Sequence, residues 1–218
     1  MNCQGDATRM IRMGLSPRVA GLTRREAQDY WRGRHARLFS RVPGLISYVQ
    51  NHTVLKLDGE PVLGPFNFDI FSEVEFASAQ AMSAAVSSPY YQDVVLADEA
   101  SLLDASKRAF LMTARKGEGS TGLSDGSIKL VQFRAATKSG TAPTGKSGPG
   151  VASAWDDRVT DIAGWPGMEP AMVRQIPFAS VEAAVDAHPM MADTAVLLSV
   201  IVKQSVIVVP GAADPHRS

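Results

Sequence analysis

The tripeptide Phe-Ala-Ser occurs twice, at 76–78 and at 178–180. Each time it ends a strand-like run and opens an alanine-containing helical stretch that is followed by a proline, Pro89 or Pro189. A repeat with a period of about 100 residues describes two related domains, not a solenoid of short units. A chain of 218 residues suits two such domains. The fold is therefore expected to be built twice from one plan.

The first copy is the more legible. Thr8 to Ser16 alternates moderately and reads as a first strand. Thr23 with Glu26 three residues later is a capping box, where each side chain satisfies an orphaned backbone donor of a first helical turn. Ala27, Trp31, His35, Leu38 and Val42 then recur at helical spacing until Pro43-Gly44 stops the helix. Leu45 to Val54 is rich in β-branched and aromatic residues, as strands are. In the clearest strand, Phe66, Phe68, Ile70, Val74 and Phe76 fall on one face and Asn67, Asp69, Glu73 and Glu75 on the other. Ser78 caps a helix that ends before Pro89. Asp98 to Lys107 reads as a further short helix, and Ala109 to Ala114 as a closing strand. This order, β-α-β-β-α-β, is ferredoxin-like with one extra helix. It fills residues 1–117, and 118–126 form a linker by composition.

The second copy, 127–210, follows the plan more loosely, with 211–218 as a flexible tail. Ile128 to Ala136 reads as a strand, Val151 to Ile162 as a helix, and Ala171 to Phe178 as a strand. Ser180 to Ala187 reads as a helix, and Leu197 to Val209 as a long strand. The interval between its two helices is much shorter than in the first copy, so one strand is expected to be missing. Between its first strand and first helix stands Gly140-x-x-x-x-Gly145-Lys146-Ser147, a literal phosphate-loop pattern. Gly148-Pro149-Gly150 follows where the phosphate-binding helix would have to begin, and no strand-ending aspartate follows to hold magnesium. The pattern reads as a glycine-rich loop, not a nucleotide site.

Several function classes drop out on composition. With 22 basic and 22 acidic residues the formal net charge is zero, which gives no reason to expect nucleic acid or an anionic membrane surface as partner. Apolar runs are too short to span a bilayer, and the first residues lack the apolar core of a secretory signal. The single cysteine, Cys3, rules out an internal disulfide, and the four histidines lack metal-ligand spacing. The expectation is a cytoplasmic protein without metal or other cofactor.

Leu22-Thr23-Arg24-Arg25-Glu26, Tyr30-Trp31-x-x-x-His35-Ala36-x-Leu38, Val42-Pro43-Gly44-Leu45 and Tyr48-Val49-Gln50-Asn51-His52 occur in that order. Asp69-x-x-x-Glu73-x-x-Phe76, Ser88-Pro89, Asp98-Glu99 and Leu103-Asp104 follow them. Over about residues 9–116 this series resembles the EthD family. The resemblance implies a dimeric α+β barrel, in which two ferredoxin-like sheets pack face to face. Here both sheets would come from one chain, as a monomeric pseudo-dimer, or the chain would form a homodimer. It also implies polar sheet faces lining the barrel, and a pocket between sheet and helices in the first domain. Family members include cofactor-free dehydratases and decarboxylases, and many have no assigned activity.

His35 on the apolar stripe can act as acid or base near neutral pH. Tyr48 and His52 share a strand face with Gln50 and could polarise a carbonyl or move a proton. Asp69 and Glu73 point the same way, and a carboxylate desolvated in a barrel would have a raised pKa. These five are the catalytic candidates, with Trp31, Leu38 and Tyr30 as substrate-binding candidates. The expected function is a cofactor-independent lyase, dehydratase or isomerase acting on a hydrophobic aromatic or carbonyl-containing molecule. The alternatives are a non-catalytic binding or accessory protein, and a cofactor-free or haem-dependent monooxygenase of the same superfamily.

Overall fold

Period-2 alternation in this sequence serves a closed surface. In a computed structural model, which describes residues 9–115, 124–136 and 154–207, eight antiparallel strands form one barrel with four helices on its outside. In chain order these are β1 (Arg9–Ser16), α1 (24–39), β2 (Leu45–Thr53), β3 (Ile70–Phe76), α2 (Ala79–Val86), α3 (91–99) and β4 (Ala109–Arg115). Then come β5 (Ile128–Arg134), β6 (Trp155–Ala163), β7 (Met172–Phe178), α4 (Val181–Met191) and β8 (Val196–Ile207). Around the barrel the strands run β1-β3-β2-β8-β5-β7-β6-β4, with β4 pairing back onto β1. The first four strands therefore lie as β4-β1-β3-β2, and the last four as β8-β5-β7-β6. The two quartets have the same order when each is counted from its own start. Pairing of β2 with β8 and of β4 with β6 closes the ring.

Alternate residues of each strand point inward. Near one end they are apolar, with Met13, Leu15, Phe71, Leu111, Val131, Phe133, Val173 and Val200 packed together beneath Phe66 and Phe68. Further along the same strands the interior turns polar. Glu73 accepts hydrogen bonds from Asn51 Nδ2 (2.9 Å) and Lys129 Nζ (3.1 Å). Lys129 also donates to Gln175 Oε1 (2.8 Å), and the Gln175 amide donates to Asp157 (2.8 Å). Charges this deep are tolerated because they are paired and hydrogen-bonded. The polar lining expected from the family resemblance thus occupies only part of the barrel.

The outward faces carry the helices. Ala36, Phe39 and Val42 of α1 and its exit pack with Tyr91 and Val95 of α3 over Tyr48, Val74 and Phe76. Ala184 of α4 covers Leu130, Ile176 and Ile201. Local chemistry sets the helix starts as the sequence indicates. Thr23 and Glu26 form the capping box, and Ser78 and Ser180 each accept from the backbone N–H three residues on.

Five expectations are corrected. The stretch read as a helix over 151–162 is β6 from Trp155 onward, because Trp155, Asp157 and Val159 turn inward while the backbone pairs with β4 and β7. With β6 present, the second quartet lacks no strand. The helix expected at Asp98 to Lys107 lies earlier: α3 ends at Glu99, and only a short 3₁₀ turn, Ala105–Lys107, follows. Phe66 and Phe68 precede β3 and pack on the barrel core, whereas Val74 and Phe76 face the helices, so the five apolar residues do not share a face. α4 also continues through Pro189 to Met191. The glycine-rich match at 140–147, most of the linker and the tail lie outside the described residues.

Candidate active site

Two of the three helices over the first quartet carry a π turn, at Trp31–His35 in α1 and at Tyr91–Val95 in α3. Such turns are rare, and inside α-helices they gather at functional sites. The wider turn also keeps every fourth residue in phase. Phe39, and not Leu38, therefore continues the buried series Ala27, Trp31, His35.

His35 is buried, and its Nδ1 lies 2.9 Å from Asp98 Oδ2. The other oxygen of Asp98 accepts from Tyr30 Oη (2.6 Å) and Arg34 Nε (2.8 Å). Burial pushes the Asp98 carboxyl up, but the hydrogen bonds from His35, Tyr30 and Arg34 outweigh it and hold the group at about 2. A carboxylate so fixed accepts from Nδ1–H and leaves Nε2 of a neutral ring with the lone pair. Nε2 makes no hydrogen bond among the described residues. The ring lines a small pocket of about 40 Å³ between the sheet and α1 and α3.

A second chain of hydrogen bonds backs this pocket. Tyr48 Oη accepts from Trp31 Nε1 and Gln50 Nε2, each at 2.9 Å, and Gln50 Oε1 meets His52 Nε2 at 2.9 Å. Burial raises the Tyr48 phenol above its ordinary value. His52, packed on the Trp31 ring, is pushed down to about 3, chiefly by burial and then by Arg32. It is a neutral structural imidazole at neutral pH.

The opposite wall carries charge. Tyr91 Oη donates to Glu99 Oε1 (3.1 Å), and Arg108 Nη2 donates to Glu99 Oε2 (2.8 Å). Burial, then Glu99, raises the Tyr91 phenol to about 12. Arg12 lies over the Phe110 ring at 3.8 Å. Arg108, which also lines the pocket, has a buried Nε without a hydrogen-bond partner among the described residues.

The pocket brings together His35, Tyr48 and Trp31 of the residues singled out from the sequence. Tyr30 holds Asp98 from a half-buried position. Leu38 is off the pocket, and its carbonyl accepts from Tyr90 Oη. His52 stands behind Trp31. Asp69 and Glu73 part company: Asp69 is ion-paired with Arg18 and Arg24 ahead of β3, and Glu73 lies inside the barrel with Lys129. Sequence reasoning missed the catalytic promise of Asp98, Glu99, Tyr91, Arg108 and Arg12. The adjacent acids Asp98-Glu99 at a helix end were the available signal. Among the described residues no group of three or more His, Cys, Asp or Glu is placed to hold a metal ion. No helix there is long and apolar enough to cross a membrane.

Residues 20–106 match the EthD domain family. No curated protein matches the chain in sequence. An anthrone oxidase-like protein of known structure superposes with a TM-score of 0.60 at 10% identity, over 96% of this chain and 98% of its own. A candidate chlorite dismutase gives a TM-score of 0.53 at 11% identity, over 90% and 95% of the two chains. A candidate monooxygenase from Lactobacillus acidophilus gives 0.45 at 12% identity, over 93% and 95%. The first two likenesses show a shared fold. The names of these two are those of an oxidase-like protein and a dismutase, and the expectation of a cofactor-independent lyase, dehydratase or isomerase is corrected against them.

Proposed function

We propose, from the match of residues 20–106 to the EthD domain family and from the geometry of the pocket, that the chain is an oxidoreductase of the oxidase or oxygenase kind. Its substrate would be a small aromatic molecule with an acidic C–H or O–H bond. The observation that carries this reading is the buried His35–Asp98 pair, built on a π turn, with His35 lining a pocket that also holds Arg12 and Arg108. In this reading Nε2 takes a proton from the substrate, and Arg108 Nε, with Arg12 nearby, stabilises the negative charge that develops. The electron-rich anion then reduces dioxygen. For an activated methylene the balance is one substrate and one O₂ giving one ketone and one water. Asp98, held ionised by Tyr30 and Arg34, orients the imidazole and stabilises its protonated form.

Ligand pockets commonly enclose about 300–1,000 Å³. At about 40 Å³ this one admits the reacting atom but not a whole ring system, so binding includes an outward movement of α1 or α3. A porphyrin is far larger than this pocket, and the purified protein is expected to show no Soret band.

The whole barrel fits the same proposal as two ferredoxin-like halves, 1–117 and 127–210, that supply within one chain what two subunits would otherwise provide. The matching strand order of the two quartets supports it. The name of the anthrone oxidase-like neighbour suggests the probe. Oxygen uptake with anthrone should exceed the spontaneous rate with the full chain. It should fall by about 100-fold or more in His35→Ala, the usual range for removing a general base. Equal rates in both proteins would sink the assignment.

A further inference from the structure

A cavity larger than the His35 pocket lies elsewhere in the fold. About 570 Å³ of space opens at one end of the barrel, beside the apolar part of its interior. That volume lies within the range of small-molecule sites. Its floor is aromatic: the Trp165 ring lies 5.1 Å from Phe133 and 5.7 Å from Phe68, and Phe133 continues to Phe71 at 5.8 Å. Leu197 and Leu198, at the start of β8, stand half-buried beside it, and Met168 at its edge is 69% exposed.

The walls are preformed. Pro17, Pro65 and Pro166 restrict the backbone on three sides. The turn that presents Trp165 depends on Gly164, whose φ is +72° and where an added Cβ would lie 2.2 Å from the Arg108 carbonyl oxygen. A site whose walls are already rigid loses little entropy when it binds. Polar groups at the lining are few. Lys107 is committed to Asp104 at 2.8 Å. The Asn67 amide has no hydrogen-bond partner among the described residues.

We propose that this barrel-mouth cavity is a second small-molecule site, separate from the His35 pocket. Its ligand is a neutral, flat aromatic compound that stacks on Trp165 and Phe68 and places one hydroxyl or carbonyl oxygen at Asn67. The paired state of Lys107 argues against a free carboxylate. The aromatic floor favours a ring over a flexible alkyl chain, because rings stack with offset or edge geometry at these centroid distances.

Methyl 2-naphthoate, a neutral bicyclic carbonyl compound with no acidic C–H or O–H bond, serves as the probe, titrated calorimetrically into the full chain. Saturable one-to-one binding is expected, unchanged within twofold in His35→Ala. Leu198→Trp and Met168→Trp, which fill the cavity from two positions, should each weaken it at least tenfold. Met168 is exposed and its replacement leaves core packing untouched, so the test stands even if Leu198→Trp melts early. Absence of binding up to about 1 mM would overturn the proposal, as it would if another segment of the chain fills the cavity. So would loss of binding in His35→Ala, or full affinity in Met168→Trp.

Discussion

His52 and Asp98 both make the fold sensitive to acid, for different reasons. Burial holds His52 at about 3, below the ordinary imidazole value, so the unfolded chain takes up its proton at a higher pH than the folded one. Stability is then full above the ordinary value of about 6.5 and falls as pH drops toward 3, with a slope approaching about 1.4 kcal/mol per pH unit. Asp98, held at about 2 despite its burial, adds a loss below the ordinary aspartate range. Urea unfolding at pH 7 and pH 5 should therefore show a larger drop for the native chain than for His52→Gln. Equal drops would contradict a neutral, buried His52. At this scale the sequence pointed well to what lies along one element. Trp31, His35 and Tyr48 meet in the pocket, as helix and strand periodicity indicates. It pointed poorly to partners distant in sequence, because Asp98 joins His35 across 63 residues and no local pattern encodes that contact.

Elements were legible where their ends carry chemistry. The capping box at Thr23 and the serine caps at 78 and 180 start helices where the sequence places them. β6 was misread because Val151, Trp155 and Val159 are four apart, and even spacing puts residues on one side of a strand as well as of a helix. Pairing with β4 and β7 decided between the two. The π turns were invisible, since nothing in a hydrophobic pattern distinguishes one wide turn from a regular helix. They nevertheless carry a prediction. Deleting Arg37, between His35 and Phe39, lets α1 run as a regular helix with Phe39 and Val42 keeping their packing, while His35 turns by about 100° relative to them. The chain should remain folded by circular dichroism and lose the His35–Asp98 contact, and with it at least about 100-fold in turnover. A deletion variant with native turnover would show that the π turn does not position the histidine.

As a whole molecule, the chain is predicted to behave as one cooperative unit. The ring closes only through pairs between the two strand quartets, and Phe133 of the second packs on Phe66 and Phe71 beside the first. Phe133→Ala should cost about 3–5 kcal/mol. Single-tryptophan variants that retain only Trp31 or only Trp165 should report coincident unfolding. Two separate transitions would mean that the copies fold independently. The sequence repeat led to the expectation of two ferredoxin-like copies, and the family resemblance to that of a barrel within one chain; the strand pairing shows one closed eight-stranded antiparallel barrel with four helices. The central claim is that the barrel serves oxidation of an aromatic substrate by dioxygen, and isotope tracing tests it most directly. With anthrone under oxygen-18 gas, the new carbonyl of the product should carry the label from O₂. A product oxygen drawn from solvent, or no oxidised product at all, would contradict it.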